Sequence, residues 1–337
     1  MADPLLVNNV DVAVVGAGPC GLAAAIALEQ AGIHAVVFDK SCLVSTIASY
    51  PTYLTFFSSA DRLEVGGVPF TGIAGEKPSR REGLAYYRLA AEQNNILLRL
   101  YEEVTQVESD GDAFLVHTQP RSAGAKTTRV AAVVVATGYF GSPNMLNVPG
   151  ENWPHVTHQF IEGHEAFGRT AFVVGGGNSA VECALELARC GAWQITLAHT
   201  GPTFSHAIKP WILPEFEQRV AQGLIALRWN TRVKSIVPGR VDVVTDGAAA
   251  SVPAQHVYLM TGYTPTQGVL GMLGVPFAAK TAVPSHNHDT METPVPGVFI
   301  AGVIASGKDA NSVFIENGRD HGTLIAAALR ARTSPRS

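Results

Sequence analysis

The chain has 337 residues, 47% of them apolar and 15% charged, with 14 Phe, 8 Tyr and 4 Trp. That composition excludes a disordered or polyelectrolyte protein, and at ~150 residues per domain it predicts about two domains with real cores. The 24 basic and 28 acidic residues leave a formal net charge of -4, which offers no basic field to a nucleic acid or an anionic membrane and directs attention to small-molecule partners. The four cysteines, Cys20, Cys42, Cys183 and Cys190, form no CxxC and no paired framework. They suit a reducing compartment and disfavour a structural zinc site. The opening Met1-Ala2-Asp3-Pro4 has no basic n-region, and the apolar run 131–136 is too short to span a bilayer. The expectation is a soluble, cytoplasmic enzyme, with a homo-oligomer compatible with it.

In chain order, the apolar run 10–15 leads into Gly16-Ala17-Gly18-Pro19-Cys20-Gly21 and an alanine-rich stretch 22–31 closed by Gly32, which reads as strand, glycine turn and helix. Ala35-Val36-Val37-Phe38 supplies a second strand with Asp39 at its end. In such a βαβ fingerprint Gly16 allows the tight turn, Gly18 lets a pyrophosphate approach the backbone, and Gly21 permits close helix packing. The helix N-terminus faces the anion, and Asp39 accepts from an adenosine ribose.

A lone GxGxxG is a weak signal, but this one is repeated. After a strand at 133–136 that ends in Thr137-Gly138, a further strand 171–174 runs into Gly175-Gly176-Gly177-Asn178-Ser179-Ala180, a helix 181–190, Gly191 and a strand 194–198. The offset that carries Gly16 onto Gly175 also carries Gly32 onto Gly191, so the unit is an internal repeat. It carries Asp39 onto Ala198, so the second copy lacks the carboxylate that would repel a 2′-phosphate, and the two sites should hold different dinucleotides. A second Thr-Gly turn follows the repeat at Tyr258-Leu259-Met260-Thr261-Gly262-Tyr263 and pairs with the first as a crossover. Pro143, Pro149, Pro154 and Pro265 mark connections. Gly297-Val298-Phe299-Ile300-Ala301-Gly302 is a last strand-to-turn, followed by a helix over 314–331. The expected fold is α/β, with two dinucleotide-binding, Rossmann-like domains, the second inserted into the first at 143–263.

The chain resembles the two-dinucleotide flavoproteins over about residues 11–331, and among them the bacillithiol disulfide reductase family, relatives of low-molecular-weight thioredoxin reductase. The residues that carry the likeness are Gly18-Pro19-Cys20-Gly21, Tyr50-Pro51-Thr52, Thr55-Phe56-Phe57-Ser58, Lys209-Pro210-Trp211-Ile212-Leu213-Pro214, Ala301-Gly302-Val303-Ile304-Ala305 and Phe314-Ile315-Glu316-Asn317-Gly318-Arg319. The resemblance implies an FAD domain made of 1–142 and 264–337, an NAD(P)H domain at 143–263, and a small-molecule disulfide as substrate. It further implies FAD contacts at Gly16, Gly18, Pro19, Gly21, Asp39, Lys40, Tyr50, Thr52, Thr137, Gly138, Gly302, Val303, Phe314 and Ile315. NADPH contacts are implied at Gly175, Gly177, Asn178, Ser179, His199, Thr200 and Lys209. Three departures matter. No cysteine lies between Gly150 and Phe172, and only Cys42 follows the first acidic position, so neither dithiol mechanism of the wider group is available. Gly302-Val303 replaces the usual Gly-Asp, in keeping with the bacillithiol branch. Thr200 stands where the family has an arginine for the 2′-phosphate.

Cys20, in the first turn of a helix, is the expected redox nucleophile, since the helix dipole favours a thiolate there; a small packing residue is the alternative. Cys42, Cys183 and Cys190 read as packing residues. His199 and Lys209 are expected to bring partial positive charge to the nucleotide. His286-Asn287-His288-Asp289 reads as a polar loop, and His155, His158 and His164 lack HExxH spacing, so no metal is assigned. Phe56, Phe57, Phe314 and Ile315 are candidates to wall the isoalloxazine, against ordinary core packing. The expected activity is NADPH-dependent reduction of a small thiol disulfide through FAD. The alternatives are a flavin monooxygenase, weakened by Asn152-Trp153-Pro154 ahead of His158, a ferredoxin-NADP reductase, weakened by a tail 330–337 without an aromatic residue, and a flavin-bound redox sensor.

Overall fold

Four-residue apolar segments such as Val12–Val15 and Ala132–Val135 are buried at every position, as expected of parallel strands covered on both faces. They lie in a five-stranded sheet in the order Val298–Ile300, Ala132–Val135, Val12–Val15, Ala35–Asp39, Leu97–Leu100, every neighbouring pair parallel. The computed structural model describes residues 10–72, 75–139, 141–204, 208–264, 266–309 and 312–333. Pro265 and the last residues of the tail, 334–337, lie outside the described residues.

The chain divides into two units, one of Met1–Ala48, Tyr53–Ser142 and Thr264–Ser337, the other of Ser49–Thr52 and Pro143–Tyr263. In the first unit the helix Pro19–Gln30 starts with proline at its first turn, where a missing N–H costs nothing. Its alanine-rich surface is buried on nearly all sides, because the helix His321–Thr333 packs across it: a Cβ on Gly322 would lie 2.6 Å from the Ala24 Cα. The helix Arg80–Gln93 begins with a capping box between Ser79 and Glu82. An antiparallel sheet of Glu102–Asp110, Ala113–Pro120 and Lys126–Val130 completes this unit.

The second unit repeats the design. Its parallel sheet runs Ile225–Arg228, Gln194–Ala198, Thr170–Val174, His256–Leu259, Val156–Thr157. One face is covered by the helices Asn178–Arg189 and Leu213–Ala221, around Cys183, Leu187 and Phe216. The other is covered by the antiparallel strands Thr231–Val237, Gly239–Thr245 and Ala248–Ala254, around Phe172, Val243 and Val257.

Two features differ from the sequence reading. The helix expected over 314–331 is two, Ile315–Gly318 and His321–Thr333, with Arg319 and Asp320 between them. Ser49–Thr52, expected in the first domain with Tyr50 and Thr52 as flavin contacts, belongs to the second unit. The Thr52 N–H donates to the Ile161 carbonyl at 3.1 Å, the Thr52 hydroxyl donates to Glu162 at 2.7 Å, and Gln159 donates to the Ser49 carbonyl at 2.9 Å.

Candidate cofactor and redox sites

The first glycine turn is built by contact. Gly16 has φ +111°, and a Cβ there would lie 2.4 Å from the Ala136 carbonyl oxygen; a Cβ on Gly21 would lie 2.0 Å from that of Gly16. No other residue fits either place. At Gly18, by contrast, a Cβ would meet nothing within 4 Å, and the helix that starts at Pro19 has no side-chain cap. The turn is therefore open on the side where an anion would meet the helix N-terminus, which fits a dinucleotide pyrophosphate. Asp39 spans the turn: Oδ2 accepts from the Ala17 N–H and Oδ1 from the Ser41 N–H, both at 2.8 Å. It thereby locks the loop to the end of its strand while each oxygen keeps a lone pair for a ribose hydroxyl. Lys40 and Thr137 are exposed, and Gly138 has φ +77°.

Cys20 sits where three segments converge. A Cβ on Gly302 would lie 2.8 Å from its Cβ, and a Cβ on Gly318 would lie 2.8 Å from its Sγ. Burial of the sulfur pushes the thiol up to about 12, and Asp320 adds to the rise. The expected thiolate at a helix N-terminus is thus reversed, because desolvation outweighs the dipole. Gly302, buried, donates its N–H to Nδ1 of His321 at 3.2 Å, and Val303 and Ile315 are partly exposed. Phe314 is 49% and Phe57 51% exposed, so both can offer a ring face, but Phe56 is 8% exposed. Phe56 packs on the helix Arg80–Gln93, where a Cβ on Gly83 would reach its ring at 2.6 Å, as core packing requires.

The second turn reproduces the first. Gly175 has φ +156°, with a Cβ position 2.4 Å from the Met260 oxygen, while Gly177 again opens outward at the uncapped start of Asn178–Arg189. Ser179 is exposed, and Asn178 accepts from the Lys209 N–H at 2.9 Å. The expected positive charge is not delivered as foreseen. The His199 ring lies against Gly176, where a Cβ would reach it at 2.3 Å, and burial holds its pKa below the usual histidine value. The Lys209 ammonium pairs with Glu182 at 3.3 Å. Thr200 is exposed.

Sequence reasoning missed Glu151, which is 5% exposed. Its carboxylate accepts from the N–H groups of Leu146 and Asn147, each at 2.7 Å, and of Val148 at 3.4 Å, and pairs with His158 at 3.2 Å. No motif marks it. Among the described residues no group of three His, Cys, Asp or Glu could hold a metal ion, and no helix is long and apolar enough to cross a membrane.

Residues 13–302 match the pyridine nucleotide-disulphide oxidoreductase family. The chain is 43% identical to the bacilliredoxin reductase Bdr of Bacillus subtilis strain 168 over 95% of its length and 97% of that protein. Among solved structures it is similar to the bacillithiol disulfide reductase Bdr (YpdA) of Bacillus cereus, at a TM-score of 0.92 and 43% identity over 96% of this chain and 99% of the other. It is also similar to that of Staphylococcus aureus, at 0.90 and 36% over the same shares. The chain belongs to the pyridine nucleotide-disulphide oxidoreductase family and, within it, to the bacillithiol disulfide reductases, as an FAD-dependent oxidoreductase that draws on NADPH.

Proposed function

We propose that this enzyme reduces a low-molecular-weight thiol disulfide, bacillithiol disulfide, with electrons from NADPH, and that it works in the cytoplasm. The observation that carries the reading is the likeness, nearly end to end, to proteins named bacillithiol disulfide reductase, in a chain that has no CxxC of its own. The Gly16–Gly21 turn with Asp39 would hold FAD and the Gly175–Ser179 turn would hold NADPH, and the bound pair would supply the two electrons that the disulfide needs. The Thr137–Gly138 and Gly302–Val303 turns and the rings of Phe57 and Phe314 line the flavin side of the first unit. Cys20 is the sulfur that meets the substrate: its thiolate fraction attacks one sulfur of the disulfide, the substrate S–S bond breaks with loss of one thiol, and two electrons that originate from NADPH then reduce the mixed disulfide, releasing the second thiol and restoring Cys20. Thr200 leaves the 2′-phosphate without a guanidinium, so preference for NADPH over NADH is modest.

Steady-state oxidation of NADPH with a panel of acceptors tests this: bacillithiol disulfide, a bacilliredoxin mixed disulfide, glutathione disulfide, oxidised thioredoxin, ferredoxin and dioxygen. Bacillithiol disulfide is expected to be turned over fastest. Faster turnover of the bacilliredoxin adduct would assign a protein substrate, and turnover of dioxygen alone would overturn the disulfide reading. Gly18→Val fills the open side of the first turn and is expected to yield protein without visible flavin absorbance; full absorbance would refute the first site.

A further inference from the structure

His321 opens the helix His321–Thr333 and is partly buried. Its Nδ1 accepts the N–H of Gly302 at 3.2 Å, which fixes the tautomer: the lone pair is on Nδ1 and the proton on Nε2. Gly302 is no ordinary partner. It is the residue packed on Cys20, and its Cα lies 3.2 Å from where a Cβ on Gly318 would stand. The convergence of three segments around the Cys20 sulfur therefore includes a polar tie from His321 to the last turn. The titratable groups that face His321 are His286 and His288, from the loop ahead of the strand Val298–Ile300, and Asp320 beside it. His286 is itself anchored, with Nδ1 donating to the Pro284 carbonyl at 2.8 Å, and its ring meets that of His288 edge-on at 4.5 Å. Cys20 also packs on Gly302, and burial raises its thiol pKa.

We propose that His321 is a positioning residue for the flavin: as a neutral acceptor it holds the turn at Ala301 and Gly302 against Cys20, and its protonation releases that turn. The proposal rests on the reading that Gly302 and Val303 face FAD. Protonation would put a proton on Nδ1, turning the acceptor into a donor aimed at an N–H and leaving that N–H unpaired. Burial, with His286 and His288 nearby, already holds His321 below the usual histidine value of 6.5, with Asp320 opposing. The turn is therefore held through the neutral range and let go in the acid range below it. As the pH falls from 6.5, an unfolded chain takes up the proton before the folded one does, so this contribution to stability is lost toward acid.

The test is FAD retention by the holoenzyme, read as the dissociation constant from flavin fluorescence between about pH 5 and about pH 8. His321→Asn places an amide oxygen near the position of Nδ1 and cannot titrate; His321→Leu removes the acceptor. The parent is expected to bind FAD about tenfold more weakly at the acid end, Asn to hold it evenly throughout, and Leu to bind about tenfold more weakly at every pH. An Asn variant with the acid loss of the parent, or a folded Leu variant with parental affinity at neutral pH, overturns the proposal. If Leu does not fold, the comparison of Asn with the parent decides alone. Should Gly18→Val keep its flavin, the cofactor-site reading fails; should it lose flavin while Asn behaves as the parent does, only the role of His321 fails.

Discussion

Oxidation of the reduced enzyme by bacillithiol disulfide should accelerate about tenfold for each pH unit, because Cys20 has to ionise before it attacks. Two effects compete at that sulfur. A helix N-terminus is worth about 0.3–1 kcal/mol, less than one pKa unit, whereas burial can move a thiol by several, and here it carries Cys20 up to about 12. The thiolate is then a small minority at neutral pH, and it rises about tenfold for each pH unit below that value. The assay is anaerobic reduction with one equivalent of NADPH, followed by stopped-flow mixing with the disulfide while flavin reoxidation is followed as the pH is raised from neutral. Cys20→Ala should still bind FAD and be reduced by NADPH, since trimming one sulfur beside Gly302 and Gly318 costs about 1 kcal/mol. It should lose both the rate and the slope of the oxidative half-reaction. A flat profile in the parent together with a parental rate in Cys20→Ala would refute the reasoning. Cys20 would then be a packing residue, and the electrons would pass directly from flavin to disulfide.

The remaining predictions concern the second unit. Thr200→Arg, at an exposed position after the strand Gln194–Ala198, should strengthen the preference for NADPH over NADH by about 1–2 kcal/mol, seen as the ratio of kcat/KM values; an unchanged ratio would show that the 2′-phosphate lies elsewhere. Glu151→Ala leaves the N–H groups of Leu146, Asn147 and Val148 without their acceptor and should destabilise the second unit by about 3 kcal/mol, measured as a shift in the urea midpoint. A loss below about 1 kcal/mol would mean that water replaces the carboxylate freely.

Both βαβ units, their glycine turns and the missing carboxylate at Ala198 were legible in the sequence, because they are local. A run of apolar residues, a glycine turn and an alanine-rich helix are written within thirty residues, and a repeat exposes them twice. The state of Cys20 was not, since the groups that desolvate it, Gly302 and Gly318, stand almost three hundred residues away and carry no side chain to announce themselves. Position on a helix suggested an acidic thiol; packing made it the reverse. Phe56 illustrates the same limit, as a ring that composition could place on flavin or in the core until Gly83 was found beneath it. Lys209 was legible as a cation but its partner Glu182, on the helix Asn178–Arg189, was not, and Glu151 and His321 have no motif at all. Sequence determines what each segment can form by itself, whereas burial and pairing are decided by which distant segments the fold brings within a few ångströms, and burial is what sets the protonation of Cys20, His199 and His321.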